Sequence, residues 1–412
     1  IPEGDAAAGG MILWQICHFE GAQRLRNLFF SYERFLTPSG FEMTICKLTS
    51  LMINTDTMGG DWMKKKLMIY GATGYSGKLL AGAARARGMD PVLAGRSEEK
   101  VKAVADRLGM KYRVFDLGDA KQVDRSIHDM DVLINSAGPF SRTSVSLVES
   151  CLRTGTHYLD LSAGMIGNFE KLMAYGAAAK KKKIMILPGI GFTLVPSDCL
   201  ALYVTTKIPE PRALYICMTG HKKMSQGTLK TALEHINEGI CIRKNGRIIK
   251  KERLSIRKAD LGAGMTKCIS MPLGDISTAH VSTGIGNIEV FFEMTPQTLM
   301  SACMMHYLGS FYGRPYMQRM LMKYADRQPE GPSEEERNND RSVFVVTAEG
   351  KDGRTASARL TTPEGYKLTC MTALLIAEKV LKGKVKTGYA TPAQVFGPDL
   401  IMEIEGVKRE DL

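Results

Sequence analysis

The sequence predicts an α/β chain: a doubly wound parallel sheet with an inserted α+β second domain. Three observations carry that prediction. A glycine-rich turn, Gly71-Ala72-Thr73-Gly74-Tyr75-Ser76-Gly77, stands between a short apolar run at 66–70 and a helix-patterned run at 78–85. Further short apolar runs then alternate with helix-length segments up to residue 187, the rhythm of parallel strands joined by crossover helices. After residue 196 the rhythm changes, and the runs at 213–218, 288–294, 342–349 and 354–362 contain alternation suited to a sheet with one solvated face.

The first strand, 66–70, ends at Gly71. Gly71, Gly74 and Gly77 let the backbone turn tightly and approach a pyrophosphate, and the following helix offers unpaired N–H groups and a partial positive charge to it. Thr73 and Tyr75 lie within the same turn. Strand, glycine turn and helix in this order predict a Rossmann-type dinucleotide site. The second strand, 91–94, arrives roughly 20–25 residues later, where such a fold reads the adenosine ribose. No acid stands there to bind a 2′-hydroxyl. Arg96 is instead suited to a 2′-phosphate and Ser97 adds a donor, so NADP is the expected cofactor. Ser97 also starts a helix with Glu98 and Glu99 in its first turn, as the helix dipole favours.

The third strand, 112–115, leads to Asp116, an expected adenine-side contact. The fourth, 132–135, leads to Ser136, Ala137 and Gly138, whose small size lets backbone lie against the nicotinamide half. The fifth strand is 158–161 and the sixth 184–187. Ligands bind at the carboxyl ends of such strands. Tyr158 is therefore the expected proton donor and Asp160 its orienting partner, although packing or capping accounts for both equally well. Tyr203 and Lys207 match a YxxxK pattern, but they follow the sixth strand and are read as a chance match.

Met68 to Gly77, Leu93-Ala94-Gly95-Arg96, Asn135 to Phe140 and Gly155 to Asp160 together resemble the saccharopine-dehydrogenase-like family, in particular the branch containing trans-acting enoyl reductases. The resemblance continues through Gly191-Phe192, Val195 to Asp198, Ser225 to Thr228, Pro272 to Asp275, and Thr391-Pro392-Ala393 with Phe396-Gly397. It covers residues 63–406 and implies an NADP-dependent reductase with an α+β substrate domain inserted after the cofactor fold. Two departures stand out: Ala163-Gly164 where the family often has Gly-Glu, and Thr193 where it often has Asp.

With 412 residues the chain has room for two to three domains of roughly 150 residues. The expected divisions are 63–196 for the cofactor, 197–365 for the substrate, and 366–412 returning to the cofactor domain through a helix at 366–381. Residues 1–62 lack sustained periodicity and hold four basic against seven acidic residues, while the rest holds 51 against 36. They are expected to be a non-native or disordered extension before a start at Met63 or Met58, the rival being a helix from Gln23 to Leu36. Thr295 and Pro296 read as the cap and first position of a helix. Residues 299–325 are rich in Met, Tyr, Leu and Phe, read either as core packing or as the wall of an apolar cleft, and 326–340 are read as a mobile loop. Ser225 to Thr228 open a helix whose N–H groups are expected to bind a substrate oxygen.

A composition of 44% hydrophobic and 24% charged residues excludes a disordered chain, a collagen and a coiled coil. No apolar run reaches the roughly 18 residues that span a bilayer. Nine cysteines without a CxxC pair, and seven histidines away from zinc-site spacing, suit reduced thiols in a cytoplasmic protein without a metal site. The net charge of +12 suits an anionic partner, here a phosphorylated cofactor or an anionic membrane surface rather than nucleic acid. The expected function is hydride transfer to or from a C=N or C=C bond of a small, acyl-bearing or lipid-like molecule, by a homo-oligomer that contacts membrane peripherally. A saccharopine-type amino-acid dehydrogenase is one alternative. A non-catalytic NADP-binding sensor or scaffold is another.

Overall fold

The structure, a computed structural model, describes residues 65–412 except 165, 221 and 222. The extension expected at 1–62, with its alternative helix, lies outside the described residues. The first half alternates strand and helix: β1 (Leu67–Tyr70), α1 (Tyr75–Ala86), β2 (Val92–Gly95), α2 (Glu98–Leu108), β3 (Tyr112–Val114), α3 (Ala120–Ile127), β4 (Val132–Asn135), α4 (Phe140–Thr154), β5 (His157–Asp160), α5 (Ile166–Met173), α6 (Gly176–Lys181) and β6 (Met185–Leu187). Every residue of β1, β2 and β4 is buried, as expected for strands covered on both faces. The helices bury one stripe each; in α1 it comprises Gly77, Leu80, Ala81 and Ala84, at helical spacing.

The strands of this sheet run in the order β15-β6-β5-β4-β1-β2-β3, where β15 is the late pair Gly388–Tyr389. The pairings are parallel. From β1 the chain winds outward through β2 and β3, then returns to lay β4 on the other side of β1. The switch point therefore falls between β1 and β4, where doubly wound sheets open a crevice for a ligand. Met68, Leu133, Leu147, Tyr158 and Ile186 share the core around these strands.

The second half begins with α7 (Leu194–Thr205), which runs through the boundary expected at 196 and buries nine of its twelve residues. It continues as β7 (Pro211–Met218), α8 (Gln226–Glu234), β8 (Cys241–Lys244), β9 (Arg247–Lys250), β10 (Ile256–Asp260), β11 (Met265–Ser270), α9 (Asp275–Thr283) and β12 (Asn287–Glu293). Then follow α10 (Pro296–Tyr307), α11 (Gly309–Tyr312), α12 (Pro315–Asp326), α13 (Glu334–Asn339), β13 (Arg341–Gly350), β14 (Thr355–Pro363), α14 (Gly365–Leu381), α15 (Pro392–Phe396) and β16 (Lys408–Asp411). Among the described residues, the second sheet orders its main path β10-β11-β12-β7-β13-β14-β16 and is mixed, with β12 parallel to β7. Helix α14 returns to pack on α1. At α10, Thr295 caps the helix and Pro296 takes the first position, as the sequence predicts.

Candidate functional site

The three glycines of the first turn have different physical reasons. Gly71 has φ +86°, and a Cβ there would stand 2.6 Å from the Ala137 nitrogen. Both the backbone conformation and the contact with the end of β4 exclude a side chain. A Cβ on Gly77 would meet the Gly71 carbonyl oxygen at 2.2 Å, so this glycine brings α1 against the turn. Gly74 differs: its φ is −73°, and a Cβ would reach only the Gly71 oxygen, at 3.5 Å. Among the described residues nothing demands glycine there. The outer side of the turn is open, and Gly74, the N-cap of α1, has no side chain to bond the first N–H groups of the helix. Half-buried Thr73 and Tyr75 flank it. The turn is tied to β2 by Gly71 and Ala72, whose N–H groups donate to the Ala94 carbonyl at 2.8 and 3.2 Å.

Helices α1, α2 and α4 follow β1, β2 and β4, and each starts without a side-chain cap. Helix α3, after the edge strand β3, is capped by Asp119. Ser97 occupies the N-cap of α2 as expected, but its side chain makes no capping bond. Arg96 is exposed at the end of β2 and forms no ion pair among the described residues. Its charge acts on the phenol of Tyr70, whose pKa burial and Asp116 push up to about 12 against it. Asp116 is exposed at the end of β3, and one of its oxygens accepts from Gly118 N at 2.8 Å.

Beyond β4, a buried network fixes the loop. Asn135 Oδ1 accepts from Ala137 N at 3.0 Å, while Asn135 Nδ2 donates to Thr143 Oγ1 at 3.0 Å and to the Tyr158 hydroxyl at 3.1 Å. Thr143 donates to the Ala137 carbonyl at 2.7 Å, and Ser136 Oγ donates to the Tyr70 carbonyl at 2.9 Å. Tyr158 donates to Asp160 Oδ2 at 2.9 Å, and Asp160 Oδ1 accepts from Ser162 N and Gly189 N, both at 2.9 Å. Tyr158 and Asp160 are 0% exposed. Burial raises both pKa values, that of Tyr158 further because Asp160 lies beside it. The pair expected to transfer protons thus has its polar atoms turned into an internal network: it meets Asn135, and through Asn135 it holds Ala137. Asn135 and Thr143 had no assigned role in the sequence reading; a buried Asn ending an apolar strand was the available signal.

Ser225 to Thr228 behave differently from the expectation of an oxygen-binding helix start. Ser225 N donates to the Tyr366 hydroxyl at 2.6 Å, Gln226 N to the Glu330 carbonyl at 3.2 Å, and Thr228 N to Ser225 Oγ at 3.2 Å. Those donors are consumed within the protein. Residues 326–340, expected as a loop, contain α13 with a capping box between Ser333 and Glu336. This strap crosses the start of α1. Tyr75 donates its hydroxyl to the Pro332 carbonyl, Arg337 Nη1 donates to the Tyr75 hydroxyl at 2.8 Å, and Lys78 pairs with Glu330 at 2.8 Å. A Cβ on Gly331 would lie 2.5 Å from the Tyr75 ring.

Helix α8 stands over the loop after β4, with Thr231 Oγ1 3.7 Å from where a Gly138 Cβ would be. Beside it opens a cleft of about 1040 Å³, bordered by Arg142 of α4, Glu234 and His235 at the end of α8, and Tyr316, Arg319 and Met320 of α12. The apolar segment at 299–325 is therefore not simply core: Met300, Tyr307, Phe311, Tyr316 and Met320 are all exposed.

The remaining motifs meet elsewhere. Ser197 donates to Asp275, Ser282 to Asp198, and Ala393 N to Asp198 at 2.9 Å. The segments 195–198, 272–275 and 391–393 thus form one buried polar knot joining α7, α9 and α15. Burial raises the carboxyl pKa of Asp198 and Asp275 to about 6. Thr193, one of the two departures, is buried with φ +70° and an unbonded hydroxyl. Lys207 of the YxxxK match pairs with Asp411, and the ring of Tyr203 lies under Arg409, so both side chains hold the C-terminal strand. Among the described residues no cluster of His, Cys, Asp and Glu is arranged to hold a metal ion, and no helix is long and apolar enough to cross a membrane.

Residues 67–187 match the saccharopine dehydrogenase NADP-binding domain. Over 169 residues the chain is 31% identical to a trans-acting enoyl reductase of Mycobacterium leprae, covering 39% of this chain and 40% of that protein. A trans-acting enoyl reductase of Mycobacterium tuberculosis is 32% identical over 139 residues, 32% of this chain and 33% of the relative. The matches thus span well under half the length of these relatives. Saccharopine dehydrogenase (L-Glu forming) from Saccharomyces cerevisiae superposes with a TM-score of 0.55 at 14% identity, over 84% of this chain and 100% of that one. Homospermidine synthase from Legionella pneumophila, solved in complex with NAD, gives 0.56 at 9% identity over 85% and 92%. Residues 67–187 are thus similar to the saccharopine dehydrogenase NADP-binding domain, within a chain that shares the fold of saccharopine dehydrogenase.

Proposed function

We propose that this chain is an NADP-dependent oxidoreductase that moves a hydride to or from a C=C or C=N bond of an apolar, acyl-bearing small molecule. The observation that carries the reading is the pairing of an open glycine turn with Arg96 at the next strand end, exposed and without an ion pair among the described residues, on the sheet edge that leads to the cleft beside α8. The residues present fit the cofactor. Gly74 leaves the turn accessible, the first N–H groups of α1 meet the pyrophosphate, and Arg96 with Ser97 meets the 2′-phosphate. Asp116 stands at the adenine side. Ser136, Ala137 and Gly138 present backbone to the nicotinamide half. NADP, when bound, supplies the two-electron chemistry.

Tyr158 and Asp160 act in this reading as positioning residues. They hold Asn135, which keeps the loop from Ser136 to Gly138 in one geometry and so places whatever lies against it. The cleft bounded by Arg142, Arg319 and Met320 takes the substrate; Arg142 is paired with Glu234 at 3.1 Å, so Arg319 is the cation suited to an anionic end, and the apolar side chains suit an acyl chain. The trans-acting enoyl reductase relatives favour reduction of C=C. Stopped-flow NADPH oxidation against enoyl thioesters and cyclic imines is the test. Turnover of the thioesters supports the reading at C=C, and turnover of the apolar cyclic imines supports it at C=N. Imino-acid turnover supports a saccharopine-type amino-acid dehydrogenase, and tight NADPH binding without turnover supports a sensor.

A further inference from the structure

Helix α12 has two faces. Met317, Gln318, Leu321, Met322 and Ala325 are wholly or partly buried, and Gln318 donates to the Leu233 carbonyl at 2.8 Å, so this face packs on α8. Tyr316, Met320 and Tyr324 fall at i, i+4 and i+8 on the opposite side and are 71%, 47% and 58% exposed. Arg319, Lys323 and Arg327 form a neighbouring row, exposed and without an ion pair among the described residues. Immediately before α12, Leu308 and Phe311 are exposed, with Arg314 next to them. This is a seated surface rather than a dangling one: a Cβ on Gly309 would meet the Ile236 carbonyl at 2.5 Å, which shows how closely α11 lies on the end of α8. The acid in 308–327 is Asp326, and it is paired with Lys230.

We infer that this face, from Leu308 to Arg327, docks on the surface of an anionic lipid bilayer. A stable helix displaying aromatic and methionine side chains beside a row of uncompensated cations has the character of an interfacial helix, whose apolar side enters the headgroup region while its cations meet lipid phosphates. Charge complementarity selects the occupant. Two copies of this chain facing each other here would oppose Arg314, Arg319, Lys323 and Arg327 to the same cations, whereas an anionic membrane neutralises them. Tyr316, Arg319 and Met320 also border the cleft, so docking opens it toward the bilayer; that last step alone rests on the proposed function.

The test is flotation of the full chain with vesicles of phosphatidylcholine alone and with 30% phosphatidylglycerol added, about one lipid in three. Binding is expected with the anionic vesicles, weakening with salt. Arg319→Glu with Lys323→Glu should lower the partition coefficient by roughly fivefold or more for each cation removed. Phe311→Ser with Tyr324→Ser should lower it while NADPH affinity, read by fluorescence, stays unchanged and reports an intact fold. Failure to float with either vesicle overturns the inference. So does a concentration-dependent dimer that the Phe311→Ser, Tyr324→Ser variant abolishes, which assigns the face to a second copy. NADPH binding without flotation leaves the proposed function standing and removes only the membrane.

Discussion

Two turns in this molecule look alike in the sequence: Gly71 to Gly77 before α1, and Ser225 to Thr228 before α8. Each is a small-residue turn opening a helix, and each offers backbone N–H groups to an oxygen. In three dimensions they are opposites. The first has a glycine N-cap with no capping side chain and an open outer side at Gly74. The second has a serine that caps its own helix, while Tyr366 and Glu330 take the preceding N–H groups. The comparison teaches that a helix start becomes an anion site only when no neighbouring group has already satisfied it. It also shows where the second turn gained a different use: it anchors the strap that reaches Tyr75.

The largest effect is expected within the first turn itself. Gly71→Ala places a Cβ against Ala137 at a positive φ and should destabilise the protein by on the order of 3 kcal/mol. Gly74→Val has room for its side chain, so the melting temperature should hold while NADPH affinity falls roughly 100-fold. Urea unfolding and a fluorescence titration separate the two. If Gly74→Val proves as unstable as Gly71→Ala, the open side of the turn is not free.

Arg96→Asp tests the neighbouring strand end. NADPH affinity should drop roughly 10- to 100-fold while NADH affinity changes little, because the lost bond is to the phosphate NADH lacks. Equal losses for both cofactors by calorimetry would detach Arg96 from the ribose. Tyr158→Phe addresses the network behind the loop after β4. It leaves Asp160 and Asn135 each short of a buried partner and should cost about 1–3 kcal/mol in urea unfolding. A proton donor would show instead as a collapse of turnover at full stability.

The smallest effect should come from the second turn. Ser225→Ala removes a helix cap and should cost about 1 kcal/mol by thermal unfolding, with NADPH affinity unchanged. A substrate-binding role would instead raise KM without that loss of stability.

The strand rhythm and the glycine turn were legible because each is a local matter. Burial on both faces dictates continuous apolar runs, and positive φ dictates glycine. The strap was not legible: residues 326–340 have no apolar period, and their order comes from Tyr75 and Lys78, some 250 residues away in the chain. Nor was the knot of Ser197, Asp198, Asp275 and Ala393, whose members are separated by up to 196 positions. Sequence alone determined the glycine turn, because it is built from consecutive backbone. Tertiary structure alone decided which polar groups are spent internally and which stay open. Hydrogen-bond satisfaction depends on every neighbour in space, and Tyr158, Asp160 and the Ser225 turn found their partners there.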